Sequence, residues 1–381
     1  MEIGVINLIR SNKGKDNIEE LNAFMGITNV INSTMGINQV LNKVLLEVQR
    51  VIDADAATLW LINEKKELIE PRVVRGPKSK EFNGVVLKKG EGIAGKVIEQ
   101  KEPELVMDVL QDPSWANRID CMTGFTTRSI LTVPIIWNEK SIGCFQLVNK
   151  KDGSLFDKED LRFAMSVANL SAIIIMSAQL YEEQKTLMMS ITRTLTAAIE
   201  ARDTYTKGHS ERVKKIALKI GKRIGLCEQE QMVLEMAAFL HDIGKIGVPD
   251  NILLSHKKLT LEEYARIKDH TTIGANIIAQ IEPSSYVKDA YLVALYHQEK
   301  FDGSGYPAGL KGKDIPLMAR IVGIADAFEA MTSDRPYSKA RSIDEAVQEL
   351  ILFKGTQFDP DLVEVMLELI DEGGMVNNEL I

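Results

Sequence analysis

The sequence predicts an α+β chain in two parts: an N-terminal half with an antiparallel sheet flanked by helices, then an all-α C-terminal half, with a long helix between them. Three observations carry this. Runs rich in β-branched residues, separated by turn residues, lie between Ala57 and Asn149. Helical spacing then continues with little punctuation from Asp160 to Asp203, too far for an ordinary globular helix. Beyond Asp203 almost every apolar pattern has the helical period.

Taken in order, Leu21, Phe24, Met25, Ile31, Val40, Leu41, Val44, Leu45 and Val48 recur at helical spacing between about Ile18 and Arg50, so helices open the first half. Strands are expected at Ala57 to Asn63, Leu68 to Val74, Ser129 to Ile136 and Ser141 to Asn149, the last two joined as a hairpin around Asn138-Glu139-Lys140. Between them, KGEGIAGKV places Gly90, Gly92 and Gly95 in a GxGxxG spacing. A dinucleotide-binding turn is a poor reading, because no alternating βαβ texture surrounds it. The Asp160 to Asp203 segment is read as a helical linker that pairs with a second chain; a break near Glu182 to Lys185 would make it two ordinary helices.

In the second half, Val213, Ile216, Ala217, Ile220 and Ile224 line one helix face, and Met232, Val233, Met236, Phe239 and Leu240 the next. Capping boxes at Thr260 with Glu263 and at Ser342 with Glu345 mark later helix starts. Pro360, preceded by Asp359, suits the first position of a last helix.

With 381 residues, 45% hydrophobic and 26% charged, the chain has the balance of a soluble protein of two domains. A net charge of -8 and a pI near 5.4 exclude a basic field that would hold a nucleic-acid polymer. The opening MEIGVINLIR does not read as a signal peptide, and the apolar stretch Val167 to Tyr181 is interrupted by Asn169, Ser171, Ser177 and Gln179. No membrane span and a cytoplasmic location are therefore expected. Cys121, Cys144 and Cys227 are widely spaced and odd in number, which suits a reducing compartment; they are expected to be buried free thiols.

Only five histidines occur, so their placement carries information. His241 follows an apolar helix face and is joined to Asp242; an adjacent imidazole and carboxylate can serve one metal, with the second carboxylate oxygen free to bridge to another. His209 opens a helix, His270 sits within another, His297 ends an apolar segment, and Asp326 lies on a fourth helix. Inward-facing imidazoles and carboxylates are how all-α folds build two-metal sites. This donor set suits iron, manganese or another first-row metal, and the near absence of cysteine ligands argues against structural zinc. His256, in a basic loop, is read as surface.

HDIGK at His241 to Lys245, followed by HQEKFDGSGYP at His297 to Pro307, resembles the paired signature of HD-GYP domains. GHSERV, DNILLSHKKLT, IKDHTTIGA, IADAFEAMTSDRPYSKA and GTQFDP extend the resemblance over about Leu195 to Leu369. The resemblance implies metal-dependent hydrolysis of cyclic di-GMP by a helical core carrying two or three metals. It implies His209, His241, Asp242, His270, His297 and Asp326 as ligands, with Asp242 bridging. Lys245 would contact a substrate phosphate, Arg335 and Lys339 would contact phosphate or guanine, and Gly305, Tyr306 and Pro307 would form the loop beside the site. The sequence departs from the family pattern twice. Many members have two adjacent histidines where this chain has His297-Gln298, and some carry a glutamate, associated with a third metal, where this chain has Tyr205. Two transition-metal ions, iron or manganese, and a linear dinucleotide as main product, with GMP as the further product, are the resulting expectations.

The Gly90 to Gly95 element, the SILTVPI and GCFQLVNK strands and the helix entered through FDKED resemble a GAF domain. Asn149, Lys150, Phe156 and Asp160 loosely echo a motif of cyclic-nucleotide-binding GAF domains, or else stabilise a strand-to-helix connection; no ligand is selected. The expected organisation is a GAF-like sensor at 17–180, a helical linker at 181–203 and an HD-GYP phosphohydrolase at 195–381. Expected partners are cyclic di-GMP, a second copy of the chain through the linker, and signalling proteins. The alternative is a weak or inactive module that binds cyclic di-GMP or a protein without turnover.

Overall fold

The computed structural model describes Gly26 and residues 37–373, apart from 83, 116, 203–207, 256, 258, 285–286 and 335–338. Leu21, Phe24, Met25, Ile31, Asp203, Tyr205, His256 and Arg335 lie outside the described residues, so the readings that rest on them stay with the sequence. Between Gln184 and Lys185 the chain divides into two compact units.

In the first unit, the apolar stripe Val40, Leu41, Val44, Leu45, Val48 and Ile52 forms one buried face of helix α1, Ile37–Ile52. The β-branched runs become strands β1, Ala54–Asn63, β2, Leu68–Arg75, β5, Ile130–Trp137, and β6, Lys140–Lys150. Two short strands, β3 at Leu87–Lys88 and β4 at Glu104–Val106, complete a six-stranded sheet of order β3-β2-β1-β6-β5-β4. All its pairings are antiparallel. Asn138 and Glu139, both at positive φ, make the two-residue turn of the β5–β6 hairpin. Alternation along the strands feeds two cores. Leu59, Leu131, Val133, Phe145 and Leu147 pack against α1 and the start of the long helix, while Trp60, Ile130 and Cys144 pack against helix α2, Gly92–Gln100. Helix α3, Arg118–Thr123, lies between β4 and β5 in sequence.

The GxGxxG run enters α2 through Gly90 and Gly92, both at positive φ. Asn149, Lys150, Phe156 and Asp160 behave as connectors. Asn149 Oδ1 accepts from the Arg128 and Ser129 amides at 2.8 and 3.2 Å, Lys150 Nζ lies 2.8 Å from Asp160 Oδ2, and Phe156 is buried.

Helix α4, Lys158–Arg202, runs unbroken for 45 residues, so the segment near Glu182 holds no break. By length and composition alone it could cross a bilayer, a test that the core helix of a globular domain also passes. Phe163, Ala164, Val167, Ala168, Ala172 and Ile175 on its first half are buried in the sheet core.

The second unit is helical among its described residues: α5, His209–Arg223; α6, Glu228–Leu240; α7, Asp250–Leu253; α8, Leu261–Lys268; α9, His270–Ile278; α10, Lys288–Tyr296; α11, Leu317–Thr332; α12, Ile343–Leu352; and α13, Pro360–Asp371. Both capping boxes form, and Asp359 caps α13 ahead of Pro360. One core built from α5, α6, α10, α11, α12 and α13 fills the unit.

The thiols differ from expectation. Cys144 alone is buried, whereas Cys121, on the solvent side of a short helix, and Cys227, at the N-cap of α6, are exposed.

Candidate metal centre

Each histidine of the cluster sits at a helix end or its first turn. His209 is the first residue of α5, His241 directly follows α6, His270 opens α9 and His297 directly follows α10. Asp326 lies within α11. Packing of α6 against α5 and α10, and of α11 against α5 and α10, brings these ends together.

Asp242 is at the centre. Its Oδ2 lies 3.3 Å from His241 Nε2, 3.9 Å from His209 Nε2 and 2.6 Å from Lys245 Nζ, and its Oδ1 lies 3.5 Å from His270 Nε2 and 3.8 Å from His297 Nε2. Asp326 Oδ1 is 3.3 Å from His209 Nε2, and Asp326 Oδ2 accepts the Gln298 amide at 3.3 Å. Two sets of donor atoms lie within 4.8 Å of one another: His209, His241 and Asp326; and His241, Asp242 and His297.

The other ring nitrogens are all committed. His241 Nδ1 donates to Ala238 O at 2.7 Å, His270 Nδ1 to Ile267 O at 2.6 Å, His297 Nδ1 to Val293 O and Ala294 O at 3.1 Å, and His209 Nδ1 to Glu329 Oε2 at 2.5 Å. A carbonyl or carboxylate acceptor fixes a proton on Nδ1 and turns Nε2 inward. His241 Nε2 is fully buried without a hydrogen-bond partner. A buried orphan of this kind costs free energy unless something ligates it. The donor set, imidazole nitrogen with carboxylate oxygen and no thiolate, fits a pair of first-row divalent ions.

Electrostatics agree. Burial, with His241 and His270 adjacent, pushes His297 down to about 3, and burial also lowers His270, so both rings stay neutral and able to ligate. His209 is as buried, but its hydrogen bonds to Asp326 and Glu329 outweigh burial and carry it up to about 9. Despite burial, Asp242 is held well below the usual carboxylate range by Lys245 and His241, and Asp326 is lowered by His209. Asp242 and Asp326 are thus ionised and available as carboxylate ligands.

The structure brings Lys245, on the turn after Asp242, into the cluster. The Tyr306 ring lies edge-on to His270 at 6.5 Å, under Lys268 Nζ at 4.9 Å. Gly305 has a packing role: a Cβ there would lie 2.3 Å from Lys300 N, so the loop folds back only on glycine. Pro307 and Lys339 are exposed. A polar pocket, part of it open to solvent, adjoins the cluster, lined by His297, Gln298, Glu299, Arg320 and Asp326 among others. Sequence reasoning missed Glu329, which accepts from His209, Arg212 and Ser333; its signal was the three-residue spacing from Asp326, one face of one helix.

Comparison with known proteins adds two domain matches. Residues 34–176 match the GAF domain family and residues 193–362 the HD domain family. A cyclic di-GMP phosphodiesterase response regulator, RpfG, of Xanthomonas campestris pv. campestris is 43% identical over 45% of this chain and 46% of its own length. A cyclic di-GMP phosphodiesterase of Thermotoga maritima is 39% identical over 51% of this chain and 52% of its own. A 3'3'-cGAMP-specific phosphodiesterase 2 of Vibrio cholerae is 33% identical over 61% and 42%. The chain thus spans about half the length of the curated relatives it matches.

Proposed function

We propose that this chain, which carries a GAF domain followed by an HD domain, is an HD-GYP-type phosphodiesterase that hydrolyses cyclic di-GMP to a linear dinucleotide under control of the GAF domain. The observation that carries it is the convergence of four Nε2 atoms on the two oxygens of Asp242. The curated names of the relatives support a cyclic dinucleotide as substrate.

In this reading His209, His241, Asp242, His270, His297 and Asp326 hold two ions, iron or manganese. Bound there, the ions would supply an activated water and stabilise the attacking and leaving oxygens of an in-line displacement at phosphorus. Asp242 offers one oxygen to each side of the cluster. Lys245 places a point charge for a phosphate oxygen, and Gln298 orients Asp326 through its amide. Tyr306, between Gly305 and Pro307, presents an apolar ring beside His270 for a guanine, and Arg335 and Lys339 are further phosphate or base contacts.

The GAF domain's regulatory role is supported by a pocket, part of it open to solvent, lined by Thr58, Trp115, Arg118 and Gln146 among others. On α4, the exposed residues Ile173, Leu180, Leu187, Ile191 and Leu195, spaced by seven, seven, four and four, fit a second copy of the chain packed along the helix. A monomeric mass in solution removes the dimer. Free thiols and an acidic pI fit a cytoplasmic setting.

The test is metal content of protein purified without chelator, followed by chromatography of products from cyclic di-GMP and 3'3'-cGAMP, with Asp242→Ala as control. Two transition-metal ions per chain and turnover abolished in the control support the proposal. Absence of turnover after anaerobic reconstitution with iron or manganese favours a binding module instead.

A further inference from the structure

The ligand-bearing segments end in backbone groups that their own helices leave without partners, and side chains of the last turns of α4 satisfy them. The first amides of α5 point out of the helix, and its N-cap, Gly208, has no side chain to accept them. Glu200 does so instead: Oε2 accepts the Gly208 amide at 2.8 Å and Oε1 the Ser210 amide at 3.0 Å, on either side of His209. At the end of α6, two residues before His241, the Phe239 carbonyl accepts from Thr196 Oγ1 at 2.9 Å, and Thr196 is itself buried. On the turn that follows Asp242, Arg202 donates to Ile246 O at 2.6 Å and Val248 O at 2.8 Å while pairing with Asp250 at 2.7 Å.

We infer that Thr196, Glu200 and Arg202 are positioning residues of the metal centre, a three-point clamp through which the placement of α4 sets the geometry of His209, His241 and Asp242. Each clamp residue holds backbone within one to six residues of a ligand, and none touches a ligand side chain in the bonds above. An axial shift of α4 by one residue, about 1.5 Å, breaks bonds of this length. The helix begins at Lys158, within the GAF match, and its last turns hold the backbone beside the ligands. Regulation through the clamp rests on the phosphodiesterase reading; the effect on metal binding does not.

The experiment uses the full chain with Thr196→Val, Glu200→Gln and both together. Mn2+ affinity is read by competition with a chromophoric chelator, folding by circular dichroism, and turnover with cyclic di-GMP. The combined variant is expected to remain folded and to bind Mn2+ about 10- to 100-fold more weakly, with Thr196→Ser restoring most of the loss due to Thr196→Val. Wild-type Mn2+ affinity in the folded combined variant overturns the clamp. Should that variant not fold, Arg202→Lys decides: weakened Mn2+ binding supports the clamp and unchanged binding overturns it. A wild-type chain that binds Mn2+ but leaves cyclic di-GMP intact, with variants that bind more weakly, sinks the phosphodiesterase reading and leaves the clamp standing.

Discussion

Glu329 accepts the Nδ1 proton of His209 at 2.5 Å and, with its other oxygen, the Arg212 guanidinium at 2.6 Å. A carboxylate behind an imidazole fixes the tautomer and raises the basicity of the facing nitrogen. Glu329→Gln keeps an acceptor but removes the charge, so metal affinity should fall by about 10- to 100-fold. Chelator competition checks this; an unchanged affinity would mean that helix packing alone orients His209.

Lys245 stands 2.6 Å from Asp242 Oδ2 and contributes charge to the cluster without itself being a metal ligand. Lys245→Ala should leave metal content near wild type and lower kcat by roughly 100-fold or more. Elemental analysis beside steady-state kinetics separates this from loss of metal.

Gly244 lets the turn after Asp242 meet the start of α9. A Cβ there would lie 1.8 Å from the His270 carbonyl oxygen and 2.4 Å from Gly274 N. Gly244→Ala should destabilise the second unit by about 3 kcal/mol and displace His270. Urea unfolding measures the first effect and metal content the second; wild-type values for both would show that the two segments separate easily.

Cys144 is buried in the sheet core, and burial pushes its thiol pKa up, whereas Cys121 and Cys227 are exposed. An aromatic disulfide reagent should label Cys121 and Cys227 in the native protein and reach Cys144 only in denaturant. Labelling mapped by mass spectrometry decides it, and rapid native labelling of Cys144 would count against the sheet core.

Much of the architecture was legible because the signals were local. The period of Val213, Ile216, Ala217 and Ile220 specified a helix, and the Thr260 and Ser342 capping boxes fixed helix starts. Strands β3 and β4 were not legible, since two or three residues leave no period to read. Glu329 was passed over because its worth depends on His209, distant in sequence, and Thr196, Glu200 and Arg202 because they act on backbone rather than through a motif.

By itself the sequence determined the two-part organisation, the helical period of the α4 segment and the residue types able to bind metal, because propensity, periodicity and donor chemistry belong to single residues and short segments. Only the tertiary structure decided which nitrogen of each histidine faces Asp242, that Gln298 donates to Asp326, and that α4 holds the backbone beside the ligands. The reason is physical: a tautomer, an amide orientation and a capped helix end are set by the partner that a group meets in space, and no propensity or period of the sequence names that partner, whether it is Ala238 beside His241 or Asp326 opposite Gln298.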